Sequence, residues 1–249
     1  MGISVIRASE RAATTTDWLT SRHSFSFGDH YDPYNTHHGS LLASNDEIVT
    51  PGSGFDFHAH QESEIVTWVV SGTLVHRDSD GRSGVVHPGL AQRMSAGSGI
   101  QHSERNDTWP DLPGSGEAPV RYIQMWVAPD VHGLTPSYEQ ADVSAALATG
   151  ELVAVASGVP GLDAAVHIHN AGATLYAARL PAGTTVAVPA ARWTHLFIVA
   201  GDVRVGTSPL HTGDALRATE TPIGNVTAER DAEILIWTMQ TDLMVALSS

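Results

Sequence analysis

Two histidines one residue apart, His58 and His60 in FDFHAHQESEIVTW, stand just before a β-branched run. A second pair with the same spacing, His102 and Glu104 in GSGIQHSERN, follows a glycine-rich turn. In a strand, residues i and i+2 project to one face. Two such pairs on strands brought together by the intervening hairpin supply three imidazoles and one carboxylate. That donor set suits a mononuclear iron, nickel, manganese, copper or zinc ion. An octahedral ion held by these four side chains keeps open positions, which points to catalysis rather than to a closed structural site.

The elements that must position these pairs read as strands. SEIVTWVVSGTLVHRD (63–78) is a strand, a tight turn at Ser71-Gly72 and a second strand. VRYIQMWVAP (120–129) is an apolar strand closed by Pro129, and ATLYAARLPAG (173–183), HLFIVAGDVRVG (195–206) and EILIWTMQ (233–240) repeat the style. Glycine and proline punctuate the chain at short intervals, the habit of an all-β sandwich or barrel. One short helix is expected around Ser144 to Thr149, and NDTWPDLPGSGEAPV (106–120) is a loop by composition. The pattern of 69–97 is faintly echoed in 198–219, an offset of roughly 125–130 residues that fits two stacked β domains. The expected division is 1–140 and 141–249, joined across the Pro- and Gly-rich stretch from Pro129 to Gly161.

Composition narrows the chemistry. The chain has 249 residues and no cysteine, so disulfides, thiolate ligands and cysteine nucleophiles are excluded. Thirteen basic residues against 27 acidic give a formal charge of −14, which repels phosphate backbones and argues against direct nucleic-acid binding. No apolar run reaches the ~18 residues of a membrane span, and the N-terminus lacks a signal pattern. The expectation is a soluble, cytoplasmic protein, monomeric because two packed domains already cover each other.

The framework around the two pairs resembles the cupin superfamily. Gly52, His58, His60, Glu64 and Gly72 follow its first motif, with one extra residue before Gly72. Gly89, Gly97, His102 and Asn106 follow its second, with Ser95 in place of a proline and two extra residues after Gly97. HRDSDGRSGVVHPG, MSAGSGIQHSE and the early HSFSFGDHYDP look like the pirin family, and closest to bacterial pirin-like quercetin 2,3-dioxygenases. The likeness is specific over residues 3–140 and looser beyond.

The resemblance implies a bicupin, two jelly-roll β-sandwiches facing each other, with one metal in the N-terminal domain held by His58, His60, His102 and Glu104. Iron(II) is the usual family metal; nickel, cobalt, manganese, copper and zinc are alternatives. It also implies a flavonol substrate and O2. The 3-hydroxyl is deprotonated, with Glu104 as the candidate base, and ring cleavage releases carbon monoxide and leaves a depside. Other cupins use the motif-one glutamate, here Glu64; strand parity allows it if the strand is unbroken, and Glu104 is favoured because it pairs with His102. A rival reading is a redox sensor or regulatory protein that binds a protein partner, and a third is a zinc or manganese isomerase or hydrolase.

The remaining candidates are weaker. Phe55, Phe57, Trp68, Met125 and Trp126 are possible pocket walls, most of them expected in the core. In the second half, Pro189 and Ala191 stand where ligands would fall, so that half is expected to hold no metal. His167 and His169 read as the polar face of a strand, and His195 as a strand residue near the domain interface. His23, His30, His37 and His38 fall among Gly, Asp and Pro, as in loops.

Overall fold

The computed structural model describes residues 2–243. It is a bicupin, and each half repeats one plan, a seven-stranded sheet against a four-stranded sheet. In the first half the large sheet runs Ser137–Asp142, Leu90–Ser95, Glu64–Ser71, Val120–Val127, Leu41–Val49, Leu19–His23 and Ala12–Thr15 in spatial order. The small sheet runs Gly54–His60, Ile100–Arg105, Leu74–Asp78 and Ser83–Val86. The helix is a single turn, Ser144–Leu147, and residues 106–119 form the expected loop apart from a bridge between Trp109 and Leu112.

Alternation along each strand sorts residues into two environments. On Val120–Val127, Ile123, Met125 and Val127 join Val66 and Trp68 in a core shared with Leu175, Phe197, Leu235 and Trp237 of the second half. The outer faces of the two large sheets therefore pack on each other, and the indole N–H of Trp237 points at Met125 Sδ at 3.2 Å. The halves are also laced at their start: Gly2–Ile6 adds to the second half's large sheet, antiparallel to Ala215–Thr219. Strand membership thus crosses any single cut of the chain, since Ser137–Asp142 closes the first half's sheet while Gly2–Ile6 extends the second's.

The inner faces differ sharply between halves. The second barrel is filled by aliphatic side chains, among them Val186, Leu196, Ile198, Val203, Leu210, Leu216, Val226 and Ile234. Each such side chain gains about 1.5–3 kcal/mol from burial. The first barrel has apolar layers around Leu74, Val86 and Val120 and around Ile65, Met94 and Ile100. Between them lies a polar row. His23, Asn45, Gln124, Thr67, Gln92 and Gln140 stand directly opposite one another across six adjacent strands.

Candidate metal centre

The small sheet of the first barrel carries the histidines. Strand pairing sets His58 directly opposite His102, with His60 one pair further along, opposite Ile100. The rings of His58, His60 and His102 lie 4.6 to 4.9 Å apart. One ring nitrogen from each falls within 4.8 Å of the others, as metal ligation requires. The pairing shifts register between His102 and Glu104, which places one extra residue in the Gly54–His60 strand. Glu104 Oε2 lies 4.0 Å from His102 Nε2.

Protonation favours lone pairs in this cluster. His58 Nδ1 donates to the carbonyl of Asp56 at 2.7 Å, so in the neutral ring Nε2 carries the lone pair. Burial, then the neighbouring His102 and His58, pushes His60 down to about 4. Burial, then His58 and His76, pushes His102 down to about 3. His60 Nε2 and both nitrogens of His102 are buried with no hydrogen-bond partner among the described residues. An unsatisfied buried polar group costs about 1–3 kcal/mol, and a divalent cation would partner one nitrogen of each ring. The residues therefore fit a metal ion with nitrogen and oxygen donors.

Glu104 is held from the opposite sheet. Gln124 Nε2 donates to its Oε2 at 2.5 Å and Thr67 Oγ1 to its Oε1 at 3.4 Å, both from the polar row. Gln124 is fixed in turn by the Trp126 indole, which donates to its Oε1 at 3.0 Å. Trp126 packs edge-on against His60 at 4.8 Å and against Phe27 at 5.3 Å. Deeper in the barrel, Glu47 accepts from Ser21 Oγ at 3.0 Å. Burial, with the charge of Glu104 in addition, raises Glu47 to about 7 against the hydrogen bonds of Tyr122 and Ser21.

Several expectations need correction. Glu64 is not on the face of His58 and His60. The strand ends at His60, Glu62 takes a positive φ of 49°, and Glu64 opens the next strand with its side chain turned toward the second half. There it accepts from Ser95 Oγ at 2.7 Å and lies 3.2 Å from His169 Nδ1. His169 is thus part of the domain junction rather than of a solvated strand face. His23 is the buried last residue of Leu19–His23, bonded to Asn45, and His38 is buried with Nε2 donating to the carbonyls of Thr194 and Ala218. His195 is buried against Phe25 at the interface, as expected.

Of the five aromatic and methionine candidates, Trp126 lines the cluster and the Phe55 ring lies 6.0 Å from His58. Trp68 and Met125 face the other half, and Phe57 is 54% exposed. Four site residues are not singled out by the sequence, Phe27, Thr67, His76 and Gln124, and two of them carry a signal there. Gln124 is a lone polar residue at the inward parity of an apolar strand, and His76 forms a His-x-Asp pair with Asp78.

Known proteins agree with this architecture. The family profile described as Pirin matches residues 5–127, and that described as Quercetinase C-terminal cupin domain matches 154–239. A Mycobacterium tuberculosis (strain H37Rv) protein named "Putative quercetin 2,3-dioxygenase" is 52% identical over 242 residues, covering 97% of this chain and 96% of its own. The quercetin 2,3-dioxygenase of Escherichia coli K12 is 32% identical over 232 residues, covering 93% and 96%. The crystal structure of bacterial pirin YhhW from Escherichia coli in complex with nickel(II) superposes with a TM-score of 0.84 at 30% identity, over 96% of this chain and 100% of that one. Sequence, fold and the convergent histidines lead to one assignment: the chain belongs to the pirin family.

Proposed function

We propose that this protein is a metal-dependent dioxygenase that cleaves a flavonol-type aromatic substrate with O2, using His58, His60, His102 and Glu104 as ligands and iron(II) as the native metal. The observation that carries the reading is the set of partnerless imidazole nitrogens converging beneath Trp126. When bound, the metal supplies a redox-active Lewis acid at the barrel mouth.

The chain's own residues do the rest. His58 and His60 are only partly buried, so the centre is reached from their side. Trp126 and Phe27, both partly exposed, offer an aromatic corner against which a planar ring system packs. Glu104 is the base for the 3-hydroxyl. Gln124 and Thr67 each occupy one lone pair of its two oxygens, which leaves others to take the proton. Held from two sides, the carboxylate is pre-aimed and needs no reorganisation when the hydroxyl arrives. The overall change is one flavonol and one O2 converted to one depside and one carbon monoxide.

The test is aerobic quercetin turnover by the full chain reconstituted in turn with Fe, Ni, Co, Mn, Cu and Zn. Loss of flavonol absorbance and released carbon monoxide are followed together. Metal-dependent release of carbon monoxide, lost in His58→Ala, is the expected result. Folded, metal-loaded protein with no turnover would overturn the reading and favour a sensor or binding role. His58→Ala should also weaken metal binding by more than the roughly 10–100-fold typical of losing an outer partner.

A further inference from the structure

A second triad of possible ligands lies directly behind the first. His76, on the strand Leu74–Asp78, stands opposite Glu104, and Asp78 stands opposite His102. Ligand atoms of His76, His102 and Glu104 lie within 4.8 Å of one another, and all three residues are buried. His76 has no exposed surface, and neither of its ring nitrogens has a hydrogen-bond partner among the described residues. Its ring is sandwiched between His102 at 5.3 Å and Tyr138 at 4.7 Å, so it has little freedom to turn away.

The surrounding charge favours a cation. Two carboxylates, Glu104 and Asp78, are buried beside these imidazoles. Asp78 accepts from the backbone N–H groups of Asp80 and Arg82 and lies 3.4 Å from the Arg82 guanidinium. It is 3.6 Å from His76 Nε2, outside hydrogen-bond reach. Glu104 receives only neutral donors from Thr67 and Gln124. A buried carboxylate without a cation is costly, and two imidazoles and a carboxylate are a donor set for a borderline divalent transition metal rather than for calcium or magnesium.

We propose that the first barrel contains two overlapping metal seats that share His102 and Glu104, and that His76 is the additional ligand of the inner one. A neutral imidazole offers one lone pair, so His102 serves one ion at a time and the seats are alternatives. The outer seat includes the partly exposed His58 and His60; the inner seat is enclosed.

The experiment compares the full chain with H58A/H60A, H58A/H60A/H76A and H76A, all stripped with chelator and titrated with Co(II) and Zn(II). Metal per chain is measured by elemental analysis and nitrogen ligation by the visible Co(II) spectrum, with no activity assay involved. The expected result is that H58A/H60A still takes up about one ion per chain, at least tenfold more weakly than wild type. Adding H76A should abolish that uptake and its visible bands. Equal metal content in the double and triple variants overturns the proposal, as does a folded double variant that binds none. If the alanine pair does not fold by circular dichroism, H58Q/H60Q with and without H76Q answers the same question. A failed quercetin assay leaves this result untouched, so the two readings fall separately.

Discussion

Gln124 Nε2 donates to Glu104 Oε2 at 2.5 Å from the opposite sheet of the barrel. This single amide ties the carboxylate of the candidate centre to the polar row and, through Trp126, to the aromatic corner. Removing it should leave Glu104 held by Thr67 alone, and less firmly aimed. Gln124→Ala is expected to lower quercetin kcat by roughly 10–100-fold, the range seen when a partner that orients a metal ligand is lost. Steady-state kinetics at saturating metal check this, and an unchanged kcat would remove Gln124 from the mechanism.

Glu64 and Glu104 should separate cleanly. Glu64→Gln touches the domain junction, where Ser95 and His169 meet it, and should keep full metal content. It should lose roughly 1–3 kcal/mol of stability, as expected for a weakened buried hydrogen-bond cluster. Glu104→Gln should do the reverse, with weakened metal binding and little thermal loss. Elemental analysis and melting curves on both variants decide it.

Glu47 predicts a pH effect of definite sign. Its carboxyl is raised from an ordinary 4.5 to about 7 in the folded chain, chiefly by burial. Between these values the folded state holds more protons than the unfolded one. Stability from this group is therefore full below the unfolded value and is lost as pH rises toward 7, by up to about 1.4 kcal/mol per pH unit. Glu47→Gln should raise the melting temperature at pH 8 more than at pH 5. Equal shifts at both pH values would show that Glu47 is not the group responsible.

His38 carries the opposite sign. Burial, then Arg217, pushes it down to about 4. Here the unfolded chain binds the proton more readily, so stability falls as pH drops from the ordinary histidine range toward 4. His38 packs edge-on against Trp193 at 5.2 Å, across the domain interface. Acid titration followed by tryptophan fluorescence should show this loss in wild type and a smaller one in His38→Gln.

Two glycines two residues apart should behave differently. A Cβ at Gly54 would sit 2.3 Å from the Glu104 carbonyl oxygen and 2.5 Å from Arg105 Cα, backbone atoms that cannot step aside. Gly54→Ala should force the His58 strand away from the His102 strand, costing several kcal/mol and the metal together. Gly52 also has positive φ, but nothing lies within 4 Å of its Cβ position. Gly52→Ala should cost only about 1–2 kcal/mol, the strain of the left-handed conformation. Denaturation midpoints and metal content on the two variants test the contrast.

The local spacing carried a good deal. Alternation put His58 with His60 and His102 with Glu104, and the glycine framework marked which strands would meet. The faint repeat also held: Glu64–Ser71 and Leu74–Asp78 correspond to Trp193–Ala200 and Asp202–Val205. Parity failed at Glu64 because it assumes an unbroken strand, and the left-handed Glu62 interrupts that strand. His23 was misread because its polar neighbours follow it, while the strand precedes it.

What the sequence by itself determined is whatever depends on the chain's own period: strands, turns, the same-face pairs and the apolar filling of the second half. What only the tertiary structure decided are the partners across strands and across domains. Gln124 reaching Glu104, His76 meeting the same carboxylate, His169 meeting Glu64 and Gly2–Ile6 completing the distant sheet all join residues far apart in the chain. Such contacts are set by register and sheet packing, which a one-residue slip would reverse.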